Sequence, residues 1–369
     1  MTNTDDATPA PPIDDATGLL SQSRTPLDQL QHALHRYPVL SPALVLLFSG
    51  IVFTFLGDGR FQQPSTIGIM LQQTAVLATL AIGQTLIILT AGIDLSVGTA
   101  MILVHLVMAR MVAFGATVPI VGWVIEPVPP IVGLLLGLLL GLSLGAIAGG
   151  LVTKFALPPF IVTLGLFYVY QSLGNVYSKA QTTPKELLGD NPETRDVAEG
   201  LLLVLGRGIS IGSMRITAGV LLALVLYVIF GYIMSSTAGG RHVYATGDDA
   251  EAARLAGINT RNVLMSVYMV AGLFYALGGW VQLGRSLSAS SNAATDINLE
   301  TITAVVIGGT SLFGGRGRLV GTLIGALIVT MFDTGLSLAG VDAFYKNLAI
   351  GLLILFAVAL DTWIRKVGK

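Results

Sequence analysis

The chain has 369 residues, of which 53% are hydrophobic and only 11% are charged; the mean hydropathy is +0.78, which excludes an ordinary soluble globular protein. A formal net charge of −1 gives no reason to expect a nucleic-acid partner. The complete lack of cysteine excludes disulfides, thiolate metal sites and cysteine nucleophiles.

Residues 1–37 are predicted to form a cytoplasmic tail. The first part is rich in Thr, Asp, Ala and Pro and is expected to be disordered. Apolar residues then recur at helical spacing, which predicts a short amphipathic helix on the membrane surface: Leu27, Leu30, Leu34 and Tyr37. An ordinary juxtamembrane segment is the alternative.

Residues 38–369 are predicted to form a single transmembrane permease domain. Apolar runs long enough to cross a bilayer indicate an all-α, polytopic membrane protein with about ten transmembrane helices, some of them interrupted. The predicted spans lie near residues 40–56, 66–90, 97–115, 131–153, 159–175, 216–236, 263–284, 300–313, 319–339 and 346–364.

An even number of spans places both termini on one side of the membrane. Most Lys and Arg residues outside the spans fall on that side, including Arg36, Lys154, Arg241, Arg254, Arg261, Arg316 and Arg318. The positive-inside rule therefore predicts cytoplasmic termini. The long outer loop 176–215 also carries basic residues, but its acids offset them and long loops follow the rule less strictly.

Two Gly-containing interruptions occupy corresponding positions in the two halves, at residues 91–99 (AGIDLSVGT) and 314–322 (GGRGRLVGT). Paired interruptions of this kind indicate pseudo-repeated halves and point to a transport path. Span four carries glycines at every fourth position, which predicts close packing against neighbouring helices at the centre of the subunit: Gly133, Gly137, Gly141, Gly145 and Gly149.

Polar residues inside the spans are candidates for the translocation pathway, because amides and hydroxyls suit a hydroxyl-rich neutral solute. They are Gln72, Gln73, Gln84, Thr85, Asp94, Asn175 and Asp333. For most of them, hydrogen bonding between helices is the competing role. For Asp94, the competing role is to cap the helix that begins at Val97.

The segment 239–262 is the longest polar helix pattern between two spans. Asp248 followed by Glu251 predicts a capping box and a short helix near residues 249–256. Arg254 can pair with Glu251, and Gly257 is typical of a left-handed helix end. We interpret this helix as a docking element for a second protein; a plain cytoplasmic loop is the alternative.

The outer loop 176–215 is either a solvated loop or part of a landing surface for a partner protein. Arginines there and nearby could pair with acidic residues of that partner: Arg60, Arg195, Arg207, Arg215 and Arg285. The sequence holds no G-x-x-x-x-G-K-[ST] phosphate loop and no clustered metal ligands. If ATP drives transport, ATP and its Mg²⁺ are therefore expected on another chain.

Three stretches, EAARLAGINTRNV, GIDLSVG and GGTSLFGGRGRLVGTLIGAL, resemble the permease subunits of ribose-, xylose- and fructose-type ABC sugar importers. The resemblance implies a type II ABC importer-like fold, a homodimer in the bacterial inner membrane, an ABC ATPase partner and an extracytoplasmic sugar-binding protein. It also implies that the short polar helix couples to the ATPase through Asp248, Asp249, Glu251, Ala252, Ala253, Arg254, Leu255, Gly257 and Asn259. The substrate would be a monosaccharide of the fructose or ribose class.

Two other functions compete with this interpretation. An ion-coupled secondary transporter would use Asp94, His105 and Asp333 as proton or ion sites and would need no ATPase. An intramembrane enzyme would need a catalytic pair, and no Ser/His or Asp/Asp set has suitable spacing.

Overall fold

The computed structural model describes residues 39–118, 123–188, 192–294 and 296–365. The predicted tail helix and its residues lie outside these ranges. Thirteen α-helices follow one another within the described chain: α1 Leu40–Leu56, α2 Pro64–Leu89, α3 Val97–Ala113, α4 Pro130–Lys154, α5 Pro159–Ser178, α6 Pro192–Leu202, α7 Ala218–Ser236, α8 Ala238–Asp248, α9 Ala250–Leu255, α10 Thr260–Ser286, α11 Ile297–Ile307, α12 Leu319–Leu338 and α13 Ala343–Arg365.

Each of the ten predicted spans coincides with a helix, and the membrane fold class is confirmed. Five helices are long and apolar enough to cross a membrane by themselves: α2, α4, α7, α10 and α12. The prediction for the eighth span is wrong in one respect. Helix α11 has only 11 residues, about 16 Å at 1.5 Å per residue, which is half of a bilayer core of about 30 Å.

Short strands accompany the helices on one side of the molecule. Three two-stranded antiparallel sheets pair β1 (Ala116–Val118) with β2 (Trp123–Ile125), β3 (Thr183–Pro184) with β6 (Ser288–Ala289), and β4 (Gly208–Ile211) with β5 (Met214–Thr217). The outer segment 176–215 is therefore no plain loop, since it holds β3, α6 and most of the β4–β5 hairpin.

Helix α10 lies at the centre and contacts α2, α3 and α4. All five glycines of the α4 ridge are buried. A Cβ at Gly141 or Gly145 would collide with the α10 backbone, at Gly272 and Tyr268 respectively. The predicted close packing is confirmed, but the central position is not: Leu135 and Leu139 on the other side of α4 are exposed.

Helices α2 and α12 are held together by hydroxyl pairs. Thr74 and Thr330 share a hydrogen bond of 2.6 Å, and Thr85 and Thr322 share one of 2.9 Å. Both residues on α2 also donate to the carbonyl four residues earlier in their own helix. Hydroxyl groups thus join this pair of helices through the apolar core, as is typical of membrane helices.

The two ends of α2 identify two faces of the molecule. In the third turn from its start, the Gln72 side-chain amide donates to the carbonyl of Arg215 on β5 over 3.3 Å. At its last turn, the Leu89 carbonyl accepts from the N–H of Gly315 over 2.9 Å. We call the end that carries α8, α9 and the loop 308–318 the docking face, and the end that carries the strands the opposite face.

Candidate functional site

The short helix on the docking face is closed at both ends by its own sequence. The carboxylate of Asp249 accepts from the N–H groups of Glu251 and Ala252 at 2.9 and 3.0 Å. At the other end Gly257 has φ +86°. The N–H groups of Gly257 and Ile258 donate to the carbonyls of Arg254 and Ala253, both at 3.0 Å, which is a Schellman motif.

Several local predictions for this segment are confirmed and one is wrong. The Gly257 helix end is confirmed, and so is the pair between Arg254 and Glu251, at 2.6 Å. The N-cap, however, is Asp249 and not Asp248. Asp248 is still the last residue of the preceding helix α8. Asp249 is the first residue with extended backbone, which an N-cap requires. Asn259 caps α10 by accepting from the Asn262 N–H over 3.1 Å.

Helix α9 presents an apolar side chain to the outside. Ala253 is buried beneath it, whereas Leu255 is 82% exposed and Ala252 and Ala256 are exposed as well. Phe313, in the loop 308–318 of the same face, is 83% exposed. Sequence analysis missed Phe313, although a lone Phe in a Gly/Arg-rich loop was the available signal.

Helix α8 connects this surface to the core, and sequence analysis missed it as a separate helix. Its N-cap is Thr237, whose hydroxyl accepts from the Gly240 N–H over 3.3 Å. A Cβ at Gly247 would fall on the carbonyl of Leu89 at the end of α2. The Tyr244 hydroxyl donates to the carbonyl of Gly317 over 2.8 Å. The polar helices therefore touch both α2 and the loop that leads into α12.

The first interruption, residues 91–99, is organised around Asp94, which is 2% exposed. Its Oδ1 accepts from the N–H and the hydroxyl of Ser96 at 2.7 and 2.6 Å, and its Oδ2 accepts from the Tyr275 hydroxyl at 2.9 Å. Three donors therefore satisfy the carboxylate, as a buried charge requires. The alternative that Asp94 caps α3 is wrong, because the N-cap is Ser96 and the carboxylate of Asp94 bonds only Ser96 and Tyr275 of α10, with no N–H of the helix itself.

Helix α3 receives its cap from the other half of the chain. The N–H of Gly98 donates to Oδ1 of Asn298, at the start of α11, over 2.5 Å. Gly98 is required there, since a Cβ would overlap the side chains of Asn298 and Ile297. The N-terminal turns of α3 and α11 thus meet inside the protein, which is typical of broken helices in transporters. Neither Asn298 nor Tyr275 carries a local sequence signal.

The second interruption, residues 314–322, lies against the first. A Cβ at Gly314 would come within contact of Ala91, and Gly315 bonds Leu89. Both segments are breaks between helices, as predicted. The equivalence of the two halves as repeats stays a prediction.

A polar cavity of about 280 Å³ opens toward the opposite face between α2, α10, α11 and α12. Its polar lining includes Gln73, Gln282, Arg285, Glu300 and Asp333. Oε1 of Gln73 accepts from the Thr334 hydroxyl at 3.0 Å, and Asp333 lies 3.7 Å from the Lys346 ammonium. Donors and acceptors of both charge signs suit a neutral ligand rich in hydroxyl groups.

The structure thus brings only Gln73 and Asp333 together among the predicted pathway residues. Gln72 bonds the β5 backbone, Thr85 bonds Thr322, and Asp94 is enclosed by its donors. Asn175 is exposed on the surface of α5. Gln84 is fully buried, and neither atom of its amide finds a partner among the described residues.

The residues proposed for ion coupling have separate partners. The Nε2 atom of His105 accepts from the Ser290 N–H over 3.2 Å, whereas Asp94 bonds Ser96 and Tyr275, and Asp333 faces Lys346. Arg110 donates to the Thr183 hydroxyl over 3.1 Å and stacks on Phe114. The described contacts do not join Asp94, His105 and Asp333 into a proton or ion relay.

Comparison with known proteins gives a consistent family. The family described as "Branched-chain amino acid transport system / permease component" matches residues 66–358. The chain is 42% identical to a fructose import permease of Rhizobium meliloti, over 96% of this chain and 93% of the relative. It is 38% identical to a ribose import permease of Bacillus subtilis, over 87% and 92%, and 36% identical to the one of Escherichia coli K12, over 79% and 84%. No solved structure matches.

Proposed function

Because the chain belongs to the branched-chain amino acid transport system / permease component family, we propose that it is the membrane-spanning permease subunit of an ATP-driven ABC importer for a monosaccharide of the fructose or ribose class. The observation that carries this proposal is the 42% identity to a fructose import permease over almost the whole of both chains. The chain itself is no enzyme; ATP and Mg²⁺ bind to a separate ABC ATPase subunit.

The docking face receives that ATPase. Helix α9 presents Leu255 and the Glu251–Arg254 pair on a rigid, doubly capped helix, as a groove-binding element requires. When the ATPase closes on ATP, it moves α9 and α8 together. Since α8 touches the end of α2 and the loop before α12, the movement reaches the membrane helices without passing through a flexible linker.

The opposite face receives the sugar from an extracytoplasmic binding protein. The polar cavity beside Gln73 and Asp333 opens on this side, and Arg60 and Arg207 are exposed where they can meet acidic groups of that protein. In this arrangement the docking face and both termini are cytoplasmic, and the protein lies in the bacterial inner membrane.

The importer works as a homodimer of this chain. Helix α5 exposes Gln171, Ser172 and Asn175 on one part of its surface, although polar side chains are disfavoured against lipid. A second copy packed on α5 would cover these groups and could form a polar path between the two subunits.

The test is co-purification from gently solubilised membranes. A chain whose residues 249–256 are replaced by a Gly/Ser linker, and a Leu255→Asp variant, should both lose the ATPase subunit and its ATP hydrolysis. Leu187→Asp is the matched control, since Leu187 is also exposed, at 44%, but lies on the opposite face. Equal ATPase recovery with all four chains would overturn the docking assignment.

Uptake assays separate this function from ion-coupled secondary transport. Proteoliposomes with the intact complex should accumulate fructose or ribose only with ATP inside and binding protein outside. Accumulation by the chain alone, driven by a proton or sodium gradient, would favour the alternative, and Asp94, His105 and Asp333 would then be the residues to mutate.

A further inference from the structure

A second cavity, of about 760 Å³, lies on the docking face between the end of α7, helix α8 and the start of α12. Its charged lining consists of Arg241, Arg316 and Arg318, and no Asp or Glu is among the described residues that line it. None of these three guanidinium groups makes a hydrogen bond or an ion pair within the described part of the chain.

Two hydroxyl side chains, Tyr244 and Ser235, line this cavity beside the arginines. Tyr244 lies there with its hydroxyl on the Gly317 carbonyl. Burial raises the pKa of Tyr244, and the nearby Arg318 charge opposes that shift. The Ser235 hydroxyl is also in the lining and donates to the Tyr232 carbonyl over 3.3 Å. Guanidinium groups bind phosphate oxygens well, because each can donate two parallel N–H bonds.

The position of the cavity relative to the membrane is independent of its charge. It lies where two of the clear membrane spans end and begin, at Ser235 on α7 and Leu319 on α12. These two helices contact each other. Along the outside of α7, Val228 and Tyr232 are 73% and 67% exposed, and Val320 on α12 is 59% exposed. An apolar surface therefore continues from the arginines into the bilayer region.

We propose that this cavity, which we call the arginine pocket (Arg241, Arg316 and Arg318), binds the phosphate headgroup of an anionic membrane lipid. The three guanidinium groups hold the phosphate at the interface, and the acyl chains lie along the exposed apolar residues of α7 and α12. Basic pockets between transmembrane helices have the charge and the depth that such headgroups need. A free phosphate would use the arginines but would leave the apolar surface without a role.

The pocket also has a place in the proposed transport cycle. Its walls are α8 and the loop that leads into α12, the same two elements that join the docking helix to the membrane helices. A bound lipid would therefore stabilise the contact between them. The binding itself does not depend on the proposed sugar transport, so the two can fail separately.

The test is a titration of the purified full chain in neutral detergent, followed by native mass spectrometry. Phosphatidylglycerol should bind at one saturable site, and phosphatidylcholine should not. The triple variant Arg241→Gln/Arg316→Gln/Arg318→Gln should weaken that binding roughly a hundredfold, as expected for three basic side chains near a membrane surface. Arg316→Lys, which keeps the charge, should retain most of it.

Arg261→Gln is the control for the single variants Arg241→Gln, Arg316→Gln and Arg318→Gln, because Arg261 is exposed at the first turn of α10 but outside the arginine pocket. If Arg261→Gln weakens lipid binding as much as a pocket variant does, the attraction comes from the overall positive charge of this face, and the proposal is overturned. If inorganic phosphate competes at the same concentration as the lipid, the pocket binds a free anion, and the lipid proposal is overturned. If lipid binding is lost when the ATPase subunit is present, the three arginines contact the ATPase and not a lipid, and the proposal is overturned.

Discussion

The N–H of Gly315 donates to the carbonyl of Leu89 over 2.9 Å, so the loop before α12 is fastened to the last turn of α2. Gly247 of α8 packs on the same Leu89 carbonyl. One backbone group thus lies where the polar helices, the first interrupted segment and the second interrupted segment meet. Changes at this junction should separate transport from folding more cleanly than changes in the apolar core.

Gly247→Ala should loosen the junction. The added methyl group would displace α8 from Leu89, whose backbone cannot move without disturbing α2, and overpacking of this kind costs about 1–3 kcal/mol. Gly239→Ala is the control in the same helix, where the new methyl meets only Thr237 at 3.6 Å and helix propensity improves. ATP-driven uptake and the thermal midpoint in detergent should fall for Gly247→Ala alone; a similar fall for both would contradict the packing argument.

Tyr275→Phe should destabilise the protein by about 1–3 kcal/mol, because it removes one donor from the buried Asp94 carboxylate. Tyr268→Phe is the matched control on the same helix, since the Tyr268 hydroxyl is buried without a partner among the described residues. Its removal should be neutral or stabilising. Unfolding in detergent, followed by far-UV circular dichroism, measures both; equal stability of the two variants would mean that the Asp94–Tyr275 bond contributes nothing.

Gln84→Met should raise stability, because both polar atoms of this buried amide lack partners in the described structure and an unsatisfied group costs about 1–3 kcal/mol. Thr85→Val, one residue away, should lower stability, since it breaks the pair with Thr322. Thermal midpoints of the two variants should therefore move in opposite directions. A stability loss in Gln84→Met would indicate that the amide is bonded in the assembled importer.

Charge reversal in α9 tests recognition by the ATPase. Glu251→Arg or Arg254→Glu should leave the fold intact, since an exposed i,i+3 pair contributes only about 0.2–0.5 kcal/mol, and should abolish most ATP-driven uptake. The double swap Glu251→Arg/Arg254→Glu restores an ion pair within the helix. It still leaves the positive and negative charges at exchanged positions on the surface that contacts the ATPase. Uptake should therefore stay low in the swap; full recovery would show that only helix stability matters.

Gln73→Ala and Asp333→Asn should raise the half-saturating sugar concentration about three- to tenfold. Both side chains line the polar cavity, and one hydrogen bond to a neutral ligand is worth about 0.5–1.5 kcal/mol. Gln72→Ala is the neighbouring control, because Gln72 is outside the cavity lining and bonds the β5 backbone. If Gln72→Ala alone impairs uptake, the cavity is not on the sugar's route.

Features encoded within one stretch of chain could be predicted from the sequence. Apolar run length gave the helices, because a buried backbone in lipid must satisfy its own hydrogen bonds. The left-handed Gly257, the Glu251–Arg254 pair and the breaks before Val97 and Leu319 are also local. Even so, the N-cap was predicted one residue early, since Asp248 and Asp249 are chemically alike and only the fold decides which one leaves the helix.

Only the tertiary structure decided which distant groups meet. Asn298 reaches Gly98 across 200 residues, Tyr275 reaches Asp94 across 181, and Thr334 reaches Gln73 across 261. The arginine pocket likewise joins Arg241 to Arg316 and Arg318. The physical reason is that hydropathy and capping act over one or two helical turns, whereas these contacts depend on how whole helices pack, which glycines and small residues permit but do not specify.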